Sequence, residues 1–331
     1  MPPYKGDGKM LVPALLFLLG FVLLIKGGDW FVDGATDLAR RLHVPEIIIG
    51  ATVVAIGTTL PEVLVSATGA LKGHSEIAYG NAIGSVICNT ALISAITFAI
   101  RPCKVDTKSF RVPVVFFFGA AVFYALNAYI GRSFSRLSGI ALLLMFIAYI
   151  AYTIWNGKRN GFHAETEEET EDAEQALWKT LLMLVLGATG IAFGANLLVD
   201  NGTLIAESLG VPESVIALTF VALGTSLPEL VTAITALAKG HSALSLGNIV
   251  GANLFNLVLV SGLSTALSPF KVPTTNTVFG LPVSLAVDIP VMFFVMAFMT
   301  LPALKRGKLT RPQGIILLCI YAAFCVFQFV S

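Results

Sequence analysis

Gly57-Thr58-Thr59-Leu60-Pro61-Glu62 returns as Gly224-Thr225-Ser226-Leu227-Pro228-Glu229, and two further blocks keep the same separation of 167 residues. K-G-H-S at 72–75 recurs unchanged at 239–242, and G-N-A-I-G-S-V-I-C-N at 80–89 recurs as G-N-I-V-G-A-N-L-F-N at 247–256. No gap is needed between 48–99 and 215–266. The chain reads as two copies of one unit, and what that unit is follows from what surrounds the blocks.

What surrounds them is apolar. The chain is 56% hydrophobic and 12% charged, about half the charged share of a soluble domain, which makes it a polytopic membrane protein. Apolar segments lie near 10–31, 45–71, 78–100, 112–130, 137–155, 177–199, 211–238, 243–267, 283–304 and 314–330. Only helices satisfy their own backbone in lipid, so the expectation is all-α, with ten transmembrane helices, five per repeat. Five is odd, so the second copy enters the membrane from the opposite side, as two inverted-topology repeats. The expected organisation is a first repeat at 1–155, an acidic cytoplasmic linker at 156–176 and a second repeat at 177–331. Lys5 and Lys9 precede the first apolar stretch as in a signal peptide, but no small-residue cleavage site follows, so it reads as a span.

Sidedness comes from basic loop residues. Arg40, Arg41, Arg101, Lys104, Lys108, Arg111, Lys158, Arg159, Lys239, Lys305, Arg306, Lys308 and Arg311 fall on one side, against Lys5, Lys9, Lys72, Arg132, Arg136 and Lys271 on the other. The richer side is expected to be cytoplasmic in the plasma membrane, with both termini outside. The seven acids of 165–174 read as a solvated loop. Cys88, Cys103, Cys319 and Cys325 have no metal or redox spacing and read as small buried hydrophobes.

Glu62 and Glu229 stand mid-helix. A charge at that depth costs about 2.5–3.5 kcal/mol on insertion scales, so an intramembrane acid is a functional hypothesis by default. Pro61 and Pro228 lack an amide hydrogen, so kinks or breaks are expected near 57–61 and 224–228, freeing carbonyls of Ala55, Thr58, Ala222 and Thr225. Asn81, Ser85 and Asn89 are four apart and share a helix face, as do Asn248, Ala252 and Asn256. Carboxylates, carbonyls, hydroxyls and amides without histidine or thiolate suit calcium or sodium and do not suit zinc or copper.

The paired G-T-[ST]-L-P-E and G-N-x-[IV]-G-[SA] blocks resemble the two alpha-repeats of the sodium/calcium exchanger family, and the ten-helix layout with a short acidic linker resembles its prokaryotic members. The resemblance implies a calcium site on Glu62, Glu229 and the carbonyls of Thr58 and Thr225. It implies flanking sodium sites on Thr59, Ser85, Ser226 and the carbonyls of Ala55 and Ala222, with Asn89 and Asn256 lining the middle. Ala252 stands where many members have serine, and Asn256 where some have aspartate, which argues against potassium dependence. Asn81 and Asn248 read either as ligands or as interhelical glue. Asp288 is expected to cap a helix start before Pro290, Asp33 and Asp200 to sit at interface positions or make helix-end hydrogen bonds, and His74 and His241 to lie in loops.

The expectation is a secondary antiporter, not an enzyme, that exchanges calcium for sodium as a monomer. Its partners would be those ions and membrane lipids, with no cofactor and no nucleic acid. A proton-coupled exchanger, a cation channel and an intramembrane hydrolase are the rivals; the last lacks the paired aspartates such chemistry uses.

Overall fold

The computed structural model describes residues 10–73, 75–160, 177–209, 224–274, 277–278 and 280–330. Among these, nine helices are long and apolar enough to span a bilayer: α1 (Leu11–Arg41), α2 (Glu46–Leu71), α3 (Tyr79–Ile100), α4 (Thr107–Gly131), α5 (Arg136–Asn156), α6 (Leu177–Ser208), α8 (Ser242–Leu267), α9 (Ser284–Arg306) and α10 (Arg311–Gln328). The shorter α7 (Leu227–Ala238) is the described end of the segment expected at 211–238. The fold is nearly all helical, and the strands among the described residues are pairs of residues in loops. The fifth helix continues to Asn160, and the acidic run at 165–174 lies outside the described residues.

Direction follows from close backbone contacts. A Cβ on Gly20 would stand 2.9 Å from the Gly194 carbonyl oxygen, and one on Gly27 2.9 Å from that of Gly187. As one number rises the other falls, so α1 and α6 run antiparallel. The 167-residue offset turns Gly20 into Gly187 and Gly27 into Gly194, so it exchanges these two contacts. Between α2 and α8 the numbers rise together. A Cβ on Gly247 would collide with the Ile47 carbonyl oxygen, and one on Gly251 would lie 2.6 Å from Ala51 Cα. These two helices run parallel, and glycine lets their backbones touch.

Loops repeat the pattern. Cys103 and Lys104 pair with Leu309 and Lys308, while Ser133 and Phe134 pair with Lys271 and Phe270. The offset carries Cys103 and Lys104 onto Phe270 and Lys271. Each ladder therefore joins a loop of one half to a loop of the other. Beneath the second ladder the Phe134 and Phe270 rings stack at 5.1 Å, with Tyr79 and Tyr124 against them.

Packing sorts the helices. Among the spans, α8, α3 and α2 are the most enclosed, and α10 and α1 the least. The outer faces of α1, α5, α6 and α10 present exposed leucines, isoleucines and valines, as lipid contact requires.

Two expectations are corrected. The helix does not break at Pro61, which lies inside a continuous helical segment, Ala55–Leu71; the irregularity falls upstream, in a π-helical turn at Gly50–Val54. A break does occur in the second copy, where a turn at Thr225 and Ser226 precedes a helix with Pro228 in its first turn, the position that needs no amide hydrogen. Asp288 caps nothing with its side chain. The helix already starts with a π turn at Ser284–Asp288, and the Asp288 carboxylate accepts a 2.6 Å bond from Gln328 Nε2.

α1 also extends ten residues past its expected end, because Gly27 and Gly34 seat this polar stretch against α6. There Asp29 and Asp33 reach Lys239 Nζ at 3.3 and 2.8 Å, and His241, directly before α8, lies 2.8 Å from Glu46. The offset partners of Asp33 and Lys239 are Asp200 and Lys72, both exposed and in no ion pair among the described residues.

Candidate ion-binding site

The four most enclosed helical segments converge on one set of polar side chains. Glu62 on α2 and Glu229 on α7 are fully buried, as are Asn89 on α3 and Asn256 on α8. Asn89 is the eleventh of the 22 residues of α3 and Asn256 the fifteenth of the 26 of α8, so both amides lie at mid-span. Each opens a π-helical turn, Asn89–Ser94 and Asn256–Val260. Such turns widen the helix and loosen its carbonyl ladder, and they recur at functional sites.

Among the described residues, none of the eight terminal heteroatoms on these four side chains has a hydrogen-bond partner, and all are buried. Leaving a polar atom so costs roughly 1–3 kcal/mol, and more for a charged group. The Thr59 hydroxyl, the Thr232 hydroxyl and Asn248 Nδ2 are orphaned in the same way. The Glu62 and Glu229 carboxylates lie within electrostatic reach of each other. Thr58 and Thr59 flank Glu229 without closing a full hydrogen bond to it.

Other expected residues are held by partners. The Thr58 hydroxyl donates to Asn248 Oδ1 at 3.1 Å and to the Ala55 carbonyl at 3.4 Å, tying α2 to α8. Asn81 Nδ2 donates to Ser66 Oγ at 2.8 Å and to the Glu62 carbonyl at 3.4 Å. Its Oδ1 accepts from Ser85 at 3.4 Å. Asn81 thus ties α3 to α2 at the carboxylate's own backbone. Ser226 is buried and Thr225 half-buried in the turn before α7. Ala222 lies outside the described residues.

Two groups escaped the sequence reading. Ser66 and Thr232 stand four and three residues after the glutamates, on the same helix faces, a spacing that could have found them. Asn253 donates to Thr90 Oγ1 at 2.8 Å and to Met296 Sδ at 3.2 Å. The offset pairs Asn253 with Val86, so comparing the repeats could not single it out.

No group of three or more histidine, cysteine, aspartate or glutamate side chains converges among the described residues, so the donors are neutral oxygens around two acids. Such a set fits a hard cation with shared charge. A buried, hard-oxygen centre inside a bundle of spanning helices defines a polytopic membrane protein that handles cations.

Comparison narrows the class. The family model described as sodium/calcium exchanger protein matches residues 12–155 and 179–330. An uncharacterized membrane protein of Methanocaldococcus jannaschii is 36% identical over 92% of this chain and 94% of its own length. A sodium/calcium exchanger of Methanosarcina acetivorans is 31% identical over 95% of this chain and 98% of its own. A solved structure of the sodium-calcium exchanger NCX_Mj, soaked with sodium and strontium, superposes with a TM-score of 0.78 at 34% identity, covering 95% of this chain and 98% of that one. The chain belongs to the sodium/calcium exchanger family, which is a family of transporters and not of enzymes.

Proposed function

We propose that this protein is an antiporter that moves calcium across the plasma membrane in exchange for sodium, by alternating access to one site at mid-bilayer. The observation that carries this is the orphaned set on Glu62, Glu229, Asn89 and Asn256, two offset-related pairs gathered on the most enclosed helices. The names of the relatives support the choice of ions.

In this reading calcium is held by Glu62, Glu229 and the carbonyls of Thr58 and Thr225. Sodium takes Thr59, Ser85, Ser226 and the carbonyls of Ala55 and Ala222, with Asn89 and Asn256 lining the middle. Asn81 and Asn248 act chiefly as struts, since each spends its amide oxygen on a neighbouring hydroxyl. The two halves are inverted copies, and α1 and α6 slide together against a core of α2, α3, α7 and α8. Loops α1–α2, α3–α4, α5–α6, α7–α8 and α9–α10 face the cytoplasm.

Two carboxylates balance one calcium, whereas three sodium ions leave one excess positive charge. Exchange at three to one therefore moves charge, worth about 2.3 kcal/mol per 100 mV. The test is uptake of radiolabelled calcium into proteoliposomes loaded in turn with sodium, potassium or protons, at clamped voltage. Uptake is expected only with internal sodium, and faster with the lumen held positive. Uptake driven by a pH gradient without sodium would replace this reading with the proton-coupled one, and voltage-independent exchange would set the count at two sodium ions.

A further inference from the structure

Away from the central site, a cleft of about 700 Å³ opens between the first turns of α4 and the last turns of α9. Lys108, Arg111, Lys305 and Arg306 line it, together with Thr107, Leu301, Pro302 and Leu304. All four cations are exposed, and their side chains form no ion pair or hydrogen bond among the described residues. The neighbouring acid is already used: Asp106 caps α4, its carboxylate accepting from the backbone amides of Lys108 at 3.1 Å and Ser109 at 3.3 Å.

A plainer account covers half of this. Lys305 and Arg306 complement the negative end of the α9 dipole. Lys108 and Arg111, at the positive end of α4, oppose its dipole instead and need another reason. The far ends of the two helices carry less of it: a single arginine, Arg132, directly follows α4. By sequence, Asp288 near the start of α9 stands where Arg111 stands near the start of α4.

We propose that the cleft binds the headgroup of an anionic phospholipid, its phosphate between the four cations and its glycerol and upper chains against Leu301, Pro302 and Leu304. Three features converge on that occupant. The cleft has the volume of a small-molecule site, one wall is apolar, and it sits where two spans meet the headgroup layer. Basic pockets between spanning helices at this depth suit anionic headgroups, whereas a free phosphate has no use for the apolar wall.

The test is native mass spectrometry of the purified full chain titrated with phosphatidylglycerol or phosphatidylcholine of matched chains. The wild type is expected to retain one phosphatidylglycerol with about tenfold preference or more. Lys108→Gln, Arg111→Gln, Lys305→Gln and Arg306→Gln combined should bring the preference to within about twofold. Leu301→Trp, which narrows the cleft without touching its charge, should do the same. A control neutralising Arg40, Arg101, Lys158 and Arg159 should keep it.

Four results would overturn the proposal: retention unchanged by the cleft variants, an equal loss in the control, displacement by glycerol 3-phosphate at matched concentration, or a several-fold gain when the acids of 165–174 become glutamine. The last would make the acidic segment the occupant. Binding is the readout throughout, so these outcomes stand apart from whether calcium exchanges for sodium.

Discussion

Without a cation, Glu62 and Glu229 bury four carboxylate oxygens with no partner among the described residues, and the apo protein bears that penalty. Glutamine has nearly the same shape and no charge. Glu62→Gln and Glu229→Gln are therefore expected to raise the apo Tm in detergent by a few degrees, reflecting about 1–3 kcal/mol of relieved desolvation. The same variants should lose the Tm increase that calcium gives the wild type and at least about 99% of sodium-driven uptake. A drop in apo Tm would mean that the carboxylates have structural partners. The acids were legible because they stand in apolar sequence and occur twice. The duty of Asn81 was not, since an amide at a given spacing reads alike as ligand or as strut until its partners, Ser66 and the Glu62 carbonyl, are seen.

Helix contacts in this fold are made by backbone, and glycines decide them. A Cβ on Gly251 meets Ala51 Cα, carbonyl carbon and carbonyl oxygen within 2.8 Å, none of which can swing away. On Gly119 it meets only the end of Met145 at 3.9 Å. Gly251→Ala should lower Tm by several degrees, at a cost of roughly 2–4 kcal/mol. Gly119→Ala should leave Tm unchanged or raise it slightly, since alanine adds up to about 1 kcal/mol of stability through helix propensity. Thermal unfolding in one detergent compares the two directly. Hydropathy found the spans but misjudged their ends and kinks. The polar end of α1 stays helical because Gly27 and Gly34 let it lie on α6, and Pro61 is accommodated within α2 while the π turn falls a full turn and more upstream. Local rules cannot anticipate such accommodation.

Two ladders tie the halves together, and they predict a sided molecule. Lys104 and Lys271 occupy offset-equivalent strand positions and are exposed. With the basic loops inside, an impermeant maleimide added to intact cells should label Lys271→Cys and spare Lys104→Cys; the reverse pattern would invert the proposed orientation. The adjacent Cys103 should stay silent, because burial pushes its thiol up to about 11 and keeps it protonated at working pH. Sidedness has a second signature in the tether from Lys239 to Asp29 and Asp33, whose counterpart, Lys72 with Asp200, is not joined. Lys239→Ala should change stability by less than about 1 kcal/mol, since the pair is partly solvated. Under the proposed alternating access, a clasp on one side alone would weight one pose over the other before any ion arrives. Dissolved salt, which weakens exposed charge pairs, would then become a handle on which doorway stands open at rest.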